Sequence, residues 1–303
     1  MKFLTKGGVI YPPFKTKLNK MNIQRILVPV DYSECSTQAL KYAVSFAKKA
    51  QAKVVVLHAY HMPVPVAEMT VTIDNSVIEE LEHEAHDQMT RLVDGLPSLK
   101  EVLQSTEVIL SLALDAIDTA IEEHGIDLII MGTTGANSLG DKVLGTNTYG
   151  VIKRATCPIL AIPESYHGTD ITQVVFACDY RKMNDLKAMD PLTAISQKYD
   201  MHLHLLHIDE HQQPIDGKEL FEGKKIDQYL KKVEHSFHVS KEKHTEEAIQ
   251  KYIDDHEIDL LAVMPRKHSF FEGLTHKSFT KQMAHHSKVP LLVLHDNFAD
   301  VES

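Results

Sequence analysis

A glycine-spaced segment contains the residues of this chain best suited to binding an anion. Gly132 and Gly135 follow an apolar run, and Gly145 precedes Thr146 further along the same segment. Glycine has no Cβ, so the backbone can turn tightly and its N–H groups can approach a phosphate closely. A helix that begins near Gly145 would point the positive end of its dipole at the same place. The segment therefore predicts a phosphate-binding loop between a strand and a helix.

The elements that must position this loop follow from the hydrophobic pattern. Apolar side chains recur with a period of about 3.6 residues over 37–50, which predicts a helix. Continuously apolar runs, typical of strands buried on both faces of a parallel sheet, occur at residues 26–30, 53–58, 127–131 and 159–162. Open α/β sheets bind ligands at the carboxyl ends of their strands. We therefore expect Asp31, Ala59 and Gly132 at one edge of the sheet.

Several segments recur in the second half of the chain. The matched ranges are 26–32 with 174–180, 53–59 with 201–208, 116–128 with 248–260, and 157–161 with 289–293. Such repetition indicates a duplicated domain. We predict an α/β fold of two tandem open, mostly parallel sheets of about five strands each, with helices on both faces. The expected organisation is an extension (1–21), a first domain (22–163), a linker (164–171), a second domain (172–296) and a tail (297–303).

Composition excludes several classes of protein. The net charge of −10 argues against nucleic-acid partners and anionic membranes. No apolar run approaches the roughly 20 residues that span a bilayer. The scattered cysteines Cys35, Cys157 and Cys178 form no CxxC motif, which is typical of reduced thiols. We expect a cytoplasmic protein without a nucleic-acid or membrane partner.

The motifs resemble those of the universal stress protein family. The resemblance is carried by Val28-Pro-Val-Asp31, by Leu57-His58-Ala59 and by the glycine signature that ends at Thr146. It covers residues 22–163 strongly and 172–296 more weakly, so the chain is similar to a tandem, two-domain member. The family's fold is Rossmann-like and of the adenine-nucleotide alpha-hydrolase-like type. The resemblance also implies an intramolecular pseudo-dimer, in which 159–162 and 291–294 pair.

The resemblance further implies an ATP site, with or without Mg²⁺. Asp31 would hydrogen-bond the ribose, Ala59 would present its backbone to the adenine edge, and Met131 would pack near the base. Backbone amides and one hydroxyl would bind the triphosphate. The expected adenine-nucleotide site consists of Pro29, Val30, Asp31, Ala59, Met131, Gly132, Gly135, Gly145, Thr146 and Asn147.

Some of these residues could instead have a purely structural role. Asp31 could cap the helix that follows the first strand, a role compatible with nucleotide contact. The glycines could mark a turn alone. His83 and His86 are separated by one residue fewer than the two histidines of a zincin motif. The sequence also shows no third metal ligand beside them. No metal site is expected.

The second half departs from the glycine signature. Met264, Lys267 and Lys277 stand where the first half has Gly132, Gly135 and Gly145, and their side chains would fill a loop that needs bare backbone. We therefore expect one ATP per chain. The basic side chains beside this loop are expected to form a solvated surface, and Phe270-Phe271 a buried plug or a contact with the other half.

The expected function is that of an ATP-binding regulatory or stress-response module. No residue is a candidate general base, so no catalytic residue is assigned and any ATP hydrolysis should be slow. The alternatives are a nucleotide-free interaction scaffold and a slow ATPase or nucleotidyltransferase-type enzyme. A homodimer is a candidate assembly, and the protein partner is not defined by the sequence.

Overall fold

The computed structural model describes residues 23–62, 75–134, 145–168, 170–178, 186–209, 217–264 and 289–294. The elements of the first half are β1 (Arg25–Pro29), α1 (Glu34–Ala50), β2 (Lys53–Tyr60), α2 (Asn75–Gly95), β3 (Leu103–Leu110), α3 (Ala113–His124), β4 (Leu128–Gly132), α4 (Thr146–Arg154) and β5 (Ile159–Ile162). Those of the second half are β6 (Gln173–Ala177), α5 (Asp190–Tyr199), β7 (His202–Ile208), α6 (Gly217–Tyr229), β8 (His235–Ser240), α7 (Thr245–Asp255), β9 (Leu260–Val263) and β10 (Leu291–Val293). Short 3₁₀ turns lie at Pro97–Glu101 and Leu186–Met189.

The strands form one continuous sheet in the order β3-β2-β1-β4-β5-β10-β9-β6-β7-β8. All neighbours are parallel except β5 and β10, which pair antiparallel with Leu292 opposite Leu160. The two predicted five-stranded sheets are thus the halves of a single ten-stranded sheet. The physical reason is that each half would otherwise end in a short apolar strand with unpaired backbone groups. The predicted pairing of the two last strands is confirmed.

The duplication is also visible in hydrogen bonds at the amino ends of the strands. The Asp127 carboxylate accepts from the amides of Gln24 and Arg25, each at 2.9 Å. The Asp259 carboxylate accepts from the amides of Thr172 and Gln173 at 2.8 and 2.9 Å. In each half, therefore, the residue before the fourth strand fixes the start of the first strand.

Apolar side chains cover both faces of the sheet. Along β1, Ile26 and Val28 join the core cluster that includes α1, whereas Leu27 joins the opposite cluster that includes α3 and α4. Burial on both faces explains why the strand sequences are continuously apolar. The first cluster also crosses between the halves, where the Tyr199 hydroxyl of α5 donates to the Phe46 carbonyl of α1 at 2.7 Å. In the described part of the chain, each helix is too short or too polar to cross a bilayer.

Candidate functional site

The carboxyl ends of β1, β2 and β4 meet at one edge of the sheet. β1 lies between β2 and β4, with Pro29 opposite Leu57 and Leu27 opposite Ile129. Helices α1 and α4, which follow β1 and β4, cover opposite faces of the sheet, so the chain leaves these two strands in opposite directions. This point is the crevice where open α/β sheets bind ligands. It brings together the residues predicted from those strand ends, namely Pro29, Val30, Asp31, Ala59, Met131 and Gly132.

Asp31 lies exposed in the turn between β1 and α1. Its Oδ1 accepts hydrogen bonds from the Ser33 amide at 3.1 Å and the Ser33 hydroxyl at 2.5 Å. Ser33 is the N-cap of α1, and its Oγ accepts from the Ser36 amide at 3.1 Å. Asp31 therefore supports the cap without being the cap residue, and its carboxylate keeps an exposed position.

The main chain on both sides of Asp31 is held by His58 of β2. The carbonyl of Val30 accepts from the His58 Nδ1 at 2.9 Å; a carbonyl can only accept, so Nδ1 carries the proton. Tyr32 has a φ of 62°, a left-handed conformation that is rare for a bulky residue. Its ring lies 4.4 Å from the His58 ring, and its hydroxyl donates to the Ala85 carbonyl at 3.4 Å.

The hydroxyl of Tyr32 is a neutral group in this arrangement. Burial raises the pKa of Tyr32 to about 12, against an opposing effect from the positive charge of Arg91. The ring therefore serves as a packing surface and as a hydrogen-bond donor to α2.

Gly132 ends β4 at a point where helix α1 comes very close. A Cβ at this position would lie 2.7 Å from the Cys35 Sγ and 3.1 Å from the Cys35 carbonyl carbon and oxygen. Contacts this short are not compatible with a side chain, so glycine is required for packing as well as for any approach by a ligand. The neighbouring Met131 is 6% exposed and belongs to the core on the α3 and α4 face.

Helix α4 begins at Thr146, as predicted, with Gly145 as its N-cap. The Gly145 amide donates to the Thr133 carbonyl at 2.7 Å, so it is engaged within the protein. The amides of Thr146 and Asn147 lie in the first turn, where no intrahelical acceptor is available. Both residues are exposed, and the first turn contains no acidic side chain. Among the described residues, therefore, the positive end of the helix lies at an exposed position that favours an anion.

Two predicted features lie outside the described residues. One is Gly135. The other is the segment from 265 to 288, which contains Lys267, Lys277 and the Phe270-Phe271 pair.

Two residues that hold helices against the end of β4 were not predicted to be part of the site. Thr148 is buried and its hydroxyl donates to the Gly132 carbonyl at 2.9 Å, which ties α4 to β4. Cys35 packs against Gly132, and its thiol donates to the Ile162 carbonyl at 3.7 Å. Two sequence features could have indicated these roles. One is a small residue in the first turn of α1, and the other is a threonine in the first turn of α4.

The second half retains the frame of the site but not the glycine. The Cys178 amide donates to the Leu206 carbonyl at 3.0 Å, as the Val30 amide does to Leu57 at 2.8 Å. His207 Nδ1 lies 3.4 Å from the Cys178 carbonyl, the counterpart of the His58 contact. Met264 follows β9 where Gly132 ends β4, and its side chain is buried in the core.

A cluster of histidines lies away from this edge, where β7, β8 and α7 pack together. His204 Nδ1 lies 2.9 Å from the Tyr252 hydroxyl, and its Nε2 lies 2.8 Å from the Gln173 Oε1. The rings of His238 and His256 are 5.3 and 6.1 Å from the His204 ring. The pKa of His204 is lowered to about 4. Burial is the largest cause, and the nearby His202, His238 and His256 lower the pKa further.

Burial favours the neutral form of two members of this cluster, His204 and His238. Burial also lowers the pKa of His238, with contributions from His256 and His202. Within the ranges described above, no three histidine, cysteine or acidic side chains are arranged to hold a metal ion. The three cysteines of the chain are buried thiols that form no disulfide.

The fold defines a tandem open α/β protein, and the carboxyl ends of β1 and β4 form the strand switch point of its first half, where sheets of this type bind ligands. The chain belongs to the universal stress protein family, whose model matches residues 22–163 and 173–295.

Individual relatives match either one half or the whole chain. A universal stress protein of Methanocaldococcus jannaschii is 30% identical over 139 residues, which cover 46% of this chain and 81% of the relative. A universal stress protein of Synechocystis is 26% identical over 294 residues and covers 89% of this chain and 99% of its own length. The crystal structure of a universal stress protein from Archaeoglobus fulgidus aligns with a TM-score of 0.67 at 17% identity, over 91% of this chain and 98% of that chain. The last two alignments extend over both halves.

Proposed function

We propose that the first half of this universal stress protein binds one ATP at the crevice between β1 and β4, and that the chain acts as a nucleotide-responsive regulatory module. The observation that carries the proposal is the convergence of two groups at that crevice. One is the exposed carboxylate of Asp31 at the end of β1, and the other is the open N-terminus of α4 beyond β4. A carboxylate can accept hydrogen bonds from ribose hydroxyls, and a helix N-terminus attracts phosphate.

The backbone groups at the crevice are consistent with a nucleotide. Gly132 leaves bare backbone between the two groups, where even a Cβ would collide with α1. The Thr146 and Asn147 amides would supply donors to the phosphates. Ala59, partly buried at the end of β2, would present its backbone to the base, and Gly135 would extend the phosphate loop as the glycine signature implies.

The second half is proposed not to bind ATP in the same way. Met264 is buried in the core at the position that corresponds to Gly132, so the second half has a large side chain where the first half requires glycine. The replacement of that glycine by a buried methionine favours a second role, that of an interaction scaffold, for residues 172–296. Residues 164–171 are then the linker between a binding half and a scaffold half.

Calorimetric titration of the full chain with ATP, in the presence and absence of Mg²⁺, tests the proposal. About one site per chain is expected. Two sites would contradict the assignment of the second half, and no binding would favour the scaffold alone. Phosphate release should be slower than about one turnover per minute, against roughly 10 s⁻¹ for a median enzyme. Rapid release would contradict the regulatory role.

A matched pair of variants locates the site. Asp31→Asn keeps an oxygen that can accept from Ser33, so the α1 cap should survive while the charge is lost. We expect ATP affinity to fall roughly tenfold, as for the loss of one charge-assisted hydrogen bond. Asp179→Asn, the corresponding change in the second half, should leave affinity unchanged. Equal effects of the two changes would contradict the placement in the first half.

A further inference from the structure

We propose that His58 is a positioning residue for nucleotide binding, because it fixes the backbone on both sides of Asp31. This inference rests on the proposed ATP site and concerns a residue that makes no contact with the nucleotide in it. It assigns a role to the histidine that both halves carry at the end of their second strand.

The first contact of His58 fixes the residue before Asp31. The Nδ1–H donates to the Val30 carbonyl at 2.9 Å, while the Val30 amide donates to the Leu57 carbonyl at 2.8 Å. Val30 is only 6% exposed, so its carbonyl has little access to water. Both polar groups of this peptide segment are therefore tied to consecutive residues of β2, although Val30 lies beyond the end of β1.

The second contact fixes the residue after Asp31. Tyr32 adopts a φ of 62°, which costs free energy for any residue with a Cβ and persists only where the surroundings enforce it. Two contacts do so: the Tyr32 ring rests 4.4 Å from the His58 ring, and its hydroxyl reaches α2. The left-handed residue turns the chain sharply, which leaves the Asp31 side chain exposed at the edge of the sheet.

The two contacts together restrict the direction in which the Asp31 carboxylate points. A binding group that is already oriented loses less conformational freedom when a ligand arrives. Loss of the His58 contacts should therefore weaken binding even though every proposed nucleotide contact is retained. The neighbouring Ala59, which would present its backbone to the base, is held by the same stretch of β2.

The second half supplies a matched control. His207 occupies the equivalent position and its Nδ1 lies 3.4 Å from the Cys178 carbonyl. A change at His207 removes a contact of the same kind from the same fold, at a place where no ATP is proposed to bind. General destabilisation of the sheet would appear in both halves, whereas an effect on nucleotide positioning would appear only at His58.

Two substitutions separate the two contacts. His58→Phe keeps a ring against Tyr32 but removes the donor to Val30, and His58→Asn keeps a side-chain N–H that can reach the carbonyl. ATP affinity measured by calorimetry should fall roughly five- to tenfold in His58→Phe, the size expected for one buried hydrogen bond. It should recover in part in His58→Asn, which restores the donor to Val30 but not the ring contact with Tyr32. His207→Phe and His207→Asn should bind ATP as the wild type does.

A further readout distinguishes positioning at the nucleoside end from an effect on the phosphate loop. Affinities for ATP and AMP should fall by the same factor in His58→Phe, because both ligands carry the same nucleoside. A larger loss for ATP than for AMP would overturn the inference. Unchanged affinity in His58→Phe, an equal loss in His207→Phe, or no recovery in His58→Asn would also overturn it.

A second variant keeps the test decisive if His58→Phe does not fold. Tyr32→Gly removes the ring contact but tolerates the left-handed φ, so the backbone path remains available without being enforced. ATP affinity should fall several-fold, and wild-type affinity would contradict the inference. If the wild-type chain itself bound no ATP, the proposed function would fail first; wild-type binding with unaffected variants would refute the role of His58 alone.

Discussion

Replacing Gly132 by alanine should destabilise the protein because helix α1 leaves no room for a side chain at the end of β4. The new Cβ would lie 2.7 Å from the Cys35 Sγ and 3.1 Å from the Cys35 carbonyl carbon and oxygen. Cys35 is 2% exposed, so its thiol cannot turn into solvent. The carbonyl belongs to the helix backbone and can move only if α1 moves. Overpacking of a core costs about 1–3 kcal/mol, and backbone contacts place this case at about 2–3 kcal/mol.

Urea denaturation followed by circular dichroism measures this cost. The midpoint of Gly132→Ala should fall while the slope stays that of the wild type, as expected when stability changes without a change in exposed surface. Gly223→Ala is the matched control, because a Cβ at Gly223, within helix α6, would have no neighbour within 4 Å. That control should gain about 0.5–1 kcal/mol from helix propensity.

A double-mutant cycle tests the proposed cause. Cys35→Ala alone should cost about 1 kcal/mol through lost packing. Combined with Gly132→Ala it removes the 2.7 Å contact but leaves the two at 3.1 Å. The double variant should then be about 1 kcal/mol more stable than the sum of the single changes. Strict additivity, or a Gly132→Ala cost below about 0.5 kcal/mol, would refute the explanation from close packing.

Further expectations concern pH, a buried hydroxyl and a buried thiol. Burial and neighbouring histidines lower the pKa of His204 from 6.5 to about 4, so the unfolded state takes up its proton first as the pH falls and stability declines through that window. The full difference between the folded and unfolded pKa of His204 corresponds to about 3 kcal/mol in the free energy of unfolding. Solvent screening reduces this contribution to about 1–2 kcal/mol. Urea midpoints at about pH 7.5 and about pH 4.5 should converge in His204→Gln and remain apart in the exposed His83→Gln control. Thr148→Val should cost about 1–2 kcal/mol by removing the hydrogen bond to Gly132; a wild-type urea midpoint would contradict that. Burial, with Asp127 adding to it, raises the pKa of the Cys157 thiol to about 12. Thiol reagents should therefore modify native Cys157 far more slowly than the urea-unfolded chain, and equal rates would show that the thiol is accessible.

Local sequence patterns were sufficient to predict four of the five strands of the first half, but not β3 (Leu103–Leu110), which lies at the edge of the sheet and is only partly buried. Burial on both faces leaves a continuously apolar run, so the ranges 26–30 and 159–162 correspond closely to β1 (Arg25–Pro29) and β5 (Ile159–Ile162). The joining of β5 to β10 was implied by the family resemblance, and the apolar character of both strands supported it, because such a strand is unfavourable at an open edge. The apolar period of α1 is visible only from residue 37, whereas the helix begins at Glu34, because its first turn is set by the Ser33 cap and has no apolar period.

Long-range contacts could not be predicted in the same way. The thiol of Cys35 lies against Gly132, although the two residues are far apart in the chain. The role of His58 also depends on the turn conformation of Tyr32, which no propensity indicates. The alternation of His202 and His204 was visible along one strand, but their partners His238 and His256 belong to other elements. Such sites arise from topology, which places distant residues together without a local signature.

The antiparallel joint between β5 and β10 has a consequence for how the two halves can change over time. In a symmetric dimer of identical chains, every substitution appears in both subunits at once. Here the pairing of Leu292 with Leu160 joins halves that are covalently linked, so their association does not depend on protein concentration. Each half can therefore acquire substitutions that the other does not share. Met264 in place of Gly132 is such a difference: one copy can lose a property while the other retains it and the shared sheet remains intact.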